Sequence, residues 1–169
     1  LLLTGGGSNG KSTFLEMLSE FLGGENVSSL SLKELNHEFK LSEITSKLAN
    51  IGDDISGEYL EDTSIFKKLV TGEDITVNKK HDQPYKLRNT AKLIFASNDL
   101  PMSSDKSQGM ERRLTIVPFN ARFKTTDEHY DPFIIDNPKT SKARSYLLNI
   151  GIKGAMRLFE QNGFTESAA

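Results

Sequence analysis

The chain of 169 residues contains no cysteine and no tryptophan. The missing cysteines exclude disulfides, thiolate nucleophiles and cysteine-ligated zinc or iron–sulfur centres within it. Histidine is scarce as well. His37, His81 and His129 stand too far apart in sequence to read as a metal-ligand cluster. No apolar run approaches the roughly 18–20 residues that a membrane-spanning helix requires. Leu1-Leu2-Leu3 is too short for a signal peptide and has no basic leader. These absences lead us to expect a soluble, intracellular domain with no membrane partner. The rest is ordinary for a globular protein, 36% hydrophobic and 26% charged, which sets aside collagen-like, coiled-coil and disordered readings. The length fits one compact domain with a sizeable core. The opening apolar triplet runs into Thr4-Gly5-Gly6-Gly7, the pattern of a buried strand inside a longer chain.

A formal net charge of −2 conceals an asymmetry. Residues 14–62 carry eleven acids against three bases, and residues 65–124 carry twelve bases against six acids. Lys79, Lys80, Lys86, Arg88 and Lys92 cluster with only Asp82 among them. Such a patch on a near-neutral domain is either a solvated lysine-bearing loop or a place where a polyanion is held.

The hydrophobic pattern alternates between strand and helix. Phe14, Leu15, Met17, Leu18, Phe21 and Leu22 have helical spacing, stopped by Gly23-Gly24. Val27–Leu32 reads as a short strand, and Ser31 as the cap of a short helix through His37. Leu41–Lys47 reads as one or two helical turns, and Lys47–Ile55 as a buried parallel strand ending in two acids. Asp62–Val70 is expected to be helical, closed by Thr71-Gly72. Ile75–Thr90 is expected to form a hairpin, turning at Asp82-Gln83-Pro84. Two further strands are expected over Ala91–Ala96 and Leu114–Phe119, the second at an edge because of Pro118. Arg144–Gln161 reads as a long helix, with Tyr146, Leu147, Ile150, Met156, Leu158 and Phe159 as its apolar side. The alternation argues for an α/β fold, a mostly parallel sheet covered by helices on both faces.

One motif carries chemistry on its own. Gly5-Gly6-Gly7-Ser8-Asn9-Gly10-Lys11-Ser12 satisfies G-x-x-x-x-G-K-[ST], a match expected by chance with a probability on the order of one per cent in this composition. It lies between an apolar strand and a helical pattern, the context that a phosphate-binding loop requires. Glycines let the backbone wrap an anion with its N–H groups inward, and the N-terminus of the next helix adds its dipole. Lys11 then reaches the β- and γ-phosphates of a nucleoside triphosphate, and the Ser12 hydroxyl ligates Mg²⁺.

Other candidates gain weight from this loop. Asp53 and Asp54 end a short strand some forty residues on, where such enzymes hold one acid on the Mg²⁺ shell and another beside the attacking water. A pair of acids before a helix start has a purely structural use too. Asn98 ends the strand Lys92–Ser97, either as a turn residue or as an amide placed at a γ-phosphate. Arg112 and Arg113 precede Leu114–Phe119, as surface charge or as an arginine finger that completes a neighbouring subunit's site.

The order of these parts resembles the superfamily 3 helicases of viruses, phages and plasmids. It is most similar to the helicase domain of phage and plasmid primases of the P4/D5-like kind. Gly5–Thr13, Lys47–Asp54, Lys68–Pro101 and Arg112–Phe119 carry the resemblance, and Leu147–Phe164 looks like the family's closing helix. It implies a P-loop NTPase of modified AAA+ type, with ATP and Mg²⁺ bound by residues 5–13. Asp53 and Asp54 would form the second acidic motif, with Asp53 and Ser12 on the metal. Asn98 would be the polar sensor and Arg112 the trans-acting finger, Arg113 being the other arginine that could supply it. Lys79, Lys80 and His81 would grip single-stranded DNA from a hairpin, residues 74–90, inside a hexameric ring. A Glu often stands where this chain has Asp54. The resemblance also implies primase or origin-binding modules elsewhere in the parent protein, encoded by a phage or plasmid and working in a bacterial cytoplasm. It further implies that residues 1–169 form one ATPase domain closed by a helical part over residues 141–164. A AAA+ loader that assembles a partner on DNA without unwinding is the rival expectation, and the basic hairpin argues against it. A small-molecule kinase has no use for arginines acting in trans.

Overall fold

The computed structural model describes residues 1–53, 55, 59–60, 62–99, 102–103, 107–128, 130–134, 136 and 140–165. A five-stranded sheet, parallel throughout, forms the centre. Its strands are β1 (Leu2–Thr4), β2 (Val27–Ser28), β3 (Ala49–Gly52), β7 (Lys92–Ser97) and β9 (Ile116–Pro118), in the order β2-β3-β7-β1-β9. One strand, β7, therefore separates the strand that enters the glycine loop from the strand that precedes Asp53. In parallel α/β sheets ligands bind beyond the carboxyl ends of the strands. Thr4, Gly52 and Ser97 all end at that edge.

The core has two parts. Leu3, Leu15, Ala49, Ile51 and Ala96 pack beneath α1 (Lys11–Leu22). On the other side Leu2, Leu93 and Phe95 join Leu30, Leu35, Leu41, Ile44, Phe66, Leu69, Ile75, Val77 and Leu87. That second cluster collects α2 (Ser64–Thr71), a pair of 3₁₀ turns (Glu34–Asn36 and Lys40–Ile44) and an antiparallel hairpin of β5 (Asp74–Val77) and β6 (Tyr85–Arg88). Alternation explains the hairpin's rooting: Ile75, Val77 and Leu87 point into the core, while Asp74, Thr76, Lys86 and Arg88 face solvent. A 3₁₀ turn (Gly24–Asn26), a small parallel pair, β4 (Tyr59–Leu60) with β8 (Met102–Ser103), and a one-turn helix α3 (Gln108–Glu111) also precede α4 (Ser141–Gln161).

Several expectations change in detail. The strand expected over Val27–Leu32 ends at Ser28, because Leu30 and Leu32 turn inward as buried loop residues. Leu41–Lys47 becomes a 3₁₀ turn over Lys40–Ile44. The largest difference is α4. Of the side expected to be buried, Leu147 and Leu158 are half-buried, whereas Tyr146, Ile150, Met156 and Phe159 are exposed. The helix packs chiefly on α1, and a single neighbour covers only a narrow stripe of a helix.

Candidate functional site

Residues 5–10 form the turn from β1 into α1, and glycine is favoured at three of its positions, at Gly7 by a φ of 65°. Gly10 has φ 86° at the helix start, a left-handed conformation that other residues adopt at a cost. A Cβ on Gly5 would stand 2.5 Å from the Phe119 carbonyl oxygen. Gly6 and Gly7 have open space where side chains would stand. Ser8 also takes a positive φ, of 48°, and Phe14 N donates to the Gly10 carbonyl (2.9 Å) as the first helical bond. The result is an open backbone cradle at the N-terminus of a twelve-residue helix.

Lys11 lies in the middle of it. Its side chain is buried, and its ammonium donates to the Gly5 carbonyl, to Asn9 Oδ1 (3.0 Å) and to Asn98 Oδ1 (3.2 Å). Two residues 87 positions apart in sequence thus meet at the site, the loop lysine and the amide at the tip of β7. All three acceptors are neutral, so the positive charge is solvated by dipoles and stays open to an anion. Asn9, itself buried, passes a second bond from Nδ2 to the Phe119 carbonyl (3.1 Å), which ties the loop to the strand end at β9.

The remaining candidates are placed as follows. Asp53 is exposed directly after β3, one strand beyond β7, and so stands on the same side of Lys11 as Asn98. Asp54 lies outside the described residues. Ser12 is exposed in the first turn of α1 and Thr13 is half-buried behind it. Buried Ser97 donates its hydroxyl to the Asp99 carbonyl, which fixes the turn that presents Asn98.

Arg112 and Arg113 take different roles. Arg113 turns inward, with Nη1 donating to the Gly109 carbonyl (2.6 Å) and Nε buried. Arg112 is exposed at the end of α3. It enters β9 from the amino end of the sheet, opposite the glycine loop, because β9 and β1 run parallel with Leu2 beside Ile116.

Lys79, Lys80 and His81 are exposed at the tip of the β5–β6 hairpin. Asp82 N donates to the Lys79 carbonyl (3.0 Å), His81 adopts a positive φ of 66°, and the Lys79 ammonium lies 3.6 Å from Asp82. Two polar contacts brace the hairpin against the 3₁₀ segment: Asn78 Nδ2 donates to Glu38 (2.6 Å), and the Tyr85 hydroxyl bonds that of Thr45 (2.6 Å).

Residues 3–113 match the model of the family of unknown function DUF5906. The chain belongs to this family. A curated relative, "Putative helicase L207/L206" of Acanthamoeba polyphaga mimivirus, is 27% identical over 129 residues, 72% of this chain and 13% of its own length. Among solved structures, the C-terminal region of NrS-1 superposes with a TM-score of 0.67 at 17% identity, covering 85% of this chain and 34% of that one. The JCV helicase gives a TM-score of 0.50 at 14% identity, covering 89% and 40%. This DUF5906 domain therefore has an α/β P-loop NTPase fold, a mostly parallel sheet flanked by helices, shared with these structures. It spans about an eighth of the mimivirus protein and a third of the NrS-1 region. Among the described residues, no helix is long and apolar enough to cross a membrane.

Proposed function

We propose that this domain is an ATP-driven motor of the superfamily 3 helicase type, moving along single-stranded DNA. The observation that carries the reading is the buried Lys11 ammonium, held in a P-loop by neutral oxygens and by Asn98 from the neighbouring strand tip. A cation buried in that way stabilises an anion, and the wrapped loop and helix N-terminus favour a phosphate chain. The residues present fit a magnesium triphosphate. Ser12, exposed at the start of α1, and Asp53, exposed after β3 at the same edge of the sheet, would hold Mg²⁺, which when bound offsets the charge of the phosphates.

The chain's own groups supply the rest. The backbone N–H groups of residues 5–13 bind the phosphates, and Lys11 leans from its neutral acceptors toward the β- and γ-oxygens. Asn98 orients a water for in-line attack on the γ-phosphorus; the bond to the leaving ADP oxygen breaks as the new P–O bond forms. Asp53, with Asp54 beside it in sequence, polarises that water. Arg112 stands at the wrong end of its own sheet to reach this phosphate, so we assign it to the site of a neighbouring subunit in a ring, the hexamer being the expected form. Lys79, Lys80 and His81 supply backbone-directed contacts to DNA, which suit a motor that passes over any sequence.

The mimivirus relative named as a helicase and the helicase-type fold support this reading. Motif order supports the narrower proposal of a P4/D5-like primase-helicase, with its accessory modules and phage or plasmid origin. Lys80→Ala combined with His81→Ala is expected to abolish DNA-stimulated hydrolysis and the unwinding of a tailed duplex, while ATP still binds. Unwinding that survives the double substitution would overturn the assignment of the hairpin, and DNA-stimulated hydrolysis without any unwinding by the parent protein would point to a loader.

A further inference from the structure

The chain does not leave the glycine loop after β9. Residues 119–123 run back across it as a strap: Phe119 N donates to the Thr4 carbonyl (2.7 Å), and Phe123 N donates to the Ser8 carbonyl (2.8 Å). The bond from Asn9 Nδ2 to the Phe119 carbonyl adds a third tie, and the Phe119 ring packs on Phe14 with centroids 5.9 Å apart. Phe119 is thus half-buried and spent on packing, but Phe123 is not. The residue is 56% exposed, and its ring lies over the start of α1, with Cε2 3.4 Å from where a Cβ on Gly10 would stand. What sets this exposed ring apart is its place: a backbone bond holds it against the glycine loop, with an open aromatic face on which a flat ring can stack.

Strand order says which part of a nucleotide reaches it. Asn98 and Asp53 end β7 and β3, on one side of β1, and the terminal phosphate belongs with them and Lys11. The strap follows β9 on the other side of β1, so the nucleoside end of the same ligand leaves toward residues 119–123. We infer that Phe123 is the platform on which the nucleobase stacks, a subsite for the base of a purine nucleoside triphosphate. The inference rests on the reading of Gly5–Ser12 as a triphosphate site. Stacking on one phenyl face tolerates any large π-system, so ATP and GTP bind alike and pyrimidine nucleotides less tightly.

The natural chain has no tryptophan, so Phe123→Trp introduces a single indole at the subsite. Its emission is expected to be quenched on titration with ATP and left unchanged by inorganic tripolyphosphate at concentrations that fill the loop. By calorimetry, Phe123→Ala is expected to weaken ATP about tenfold, with tripolyphosphate affinity retained and Phe123→Tyr close to the natural chain. Equal losses for both ligands in Phe123→Ala would show that the ring only shapes the loop, and unchanged affinity for both would show that no base reaches it; either overturns the platform. Failure of the natural chain to bind either ligand would instead overturn the triphosphate site itself, and the platform with it.

Discussion

Lys11 and Asn98 show how a few residues can define a site across most of the sequence. The lysine was legible because glycine spacing, helix start and basic residue come together in one motif. Asn98 was legible only as a polar residue at the end of an apolar strand, and its 3.2 Å bond to Lys11 gives it a specific place. Both arginines precede the same strand, and only the family resemblance prefers Arg112, by its spacing to Phe119; the fold turns Arg113 onto Gly109 and leaves Arg112 exposed. Asn50 was not legible at all, because a polar residue inside a strand reads as a weak strand. In the fold it is fully buried and satisfied: Oδ1 accepts from Leu30 N and Ser28 Oγ, and Nδ2 donates to the Leu30 carbonyl, all at 2.9 Å. It acts as an extra peptide group that fastens residues 28–30 to the strand carrying Asp53. Asn50→Ala strands those partners in the core, a loss of about 3 kcal/mol. Thermal unfolding should report a Tm lower by about 6–12 °C, and a fall below about 2 °C would show that the clip is dispensable.

At the scale of elements, the hairpin was fully legible, because alternation, a turn segment and a basic tip agree with one another. Helix α4 was legible as a helix and misread as to its face. Apolar residues lie on more than one side of it, and periodicity cannot say which side meets α1. The segment between β2 and β3 lies between these cases. Ser31, a cap by its residue type, forms a reciprocal box: Ser31 N donates to Glu34 Oε2 (3.0 Å) and Glu34 N to Ser31 Oγ (3.4 Å). The Lys40 ammonium bonds the same carboxylate. The Lys40 hydrogen bond first, and the Ser31 N–H second, hold the Glu34 carboxyl below its ordinary value of 4.5. A carboxyl lowered in the folded state contributes stability above its unfolded value, and that contribution is lost as pH falls through the lower folded value. The same bond holds Lys40 above its ordinary value of 10.5, so its share fades only in strong alkali. Both groups lie near the surface, which keeps the effect small. Glu34→Gln should lower the Tm slightly at pH 7, where the ionised carboxyl contributes, and flatten the acid limb of the Tm-against-pH profile below about pH 4.5; an unchanged plateau and acid limb would show that the box adds nothing to stability.

For the whole molecule, strand polarity separates two ends. The phosphate loop, Asn98 and Asp53 gather at the carboxyl edge of the sheet, whereas Arg112 and the return from the hairpin into β7 lie at the amino edge. The proposed triphosphate site and the proposed Arg112 finger lie at opposite ends of one subunit, so a finger from a neighbouring subunit would have to come from a head-to-tail contact. The class of fold was readable from alternation alone. The strand order was not, because strands of two to six residues carry no pairing signal of their own. An ATP-driven, DNA-stimulated motor with a shared site is decided by the ATPase rate per subunit across protein concentration, with and without single-stranded DNA, for the natural chain and for Lys11→Ala. The expected rate climbs with concentration and with DNA and vanishes in Lys11→Ala. Hydrolysis that persists in Lys11→Ala, or a natural rate indifferent to both DNA and concentration, would contradict it.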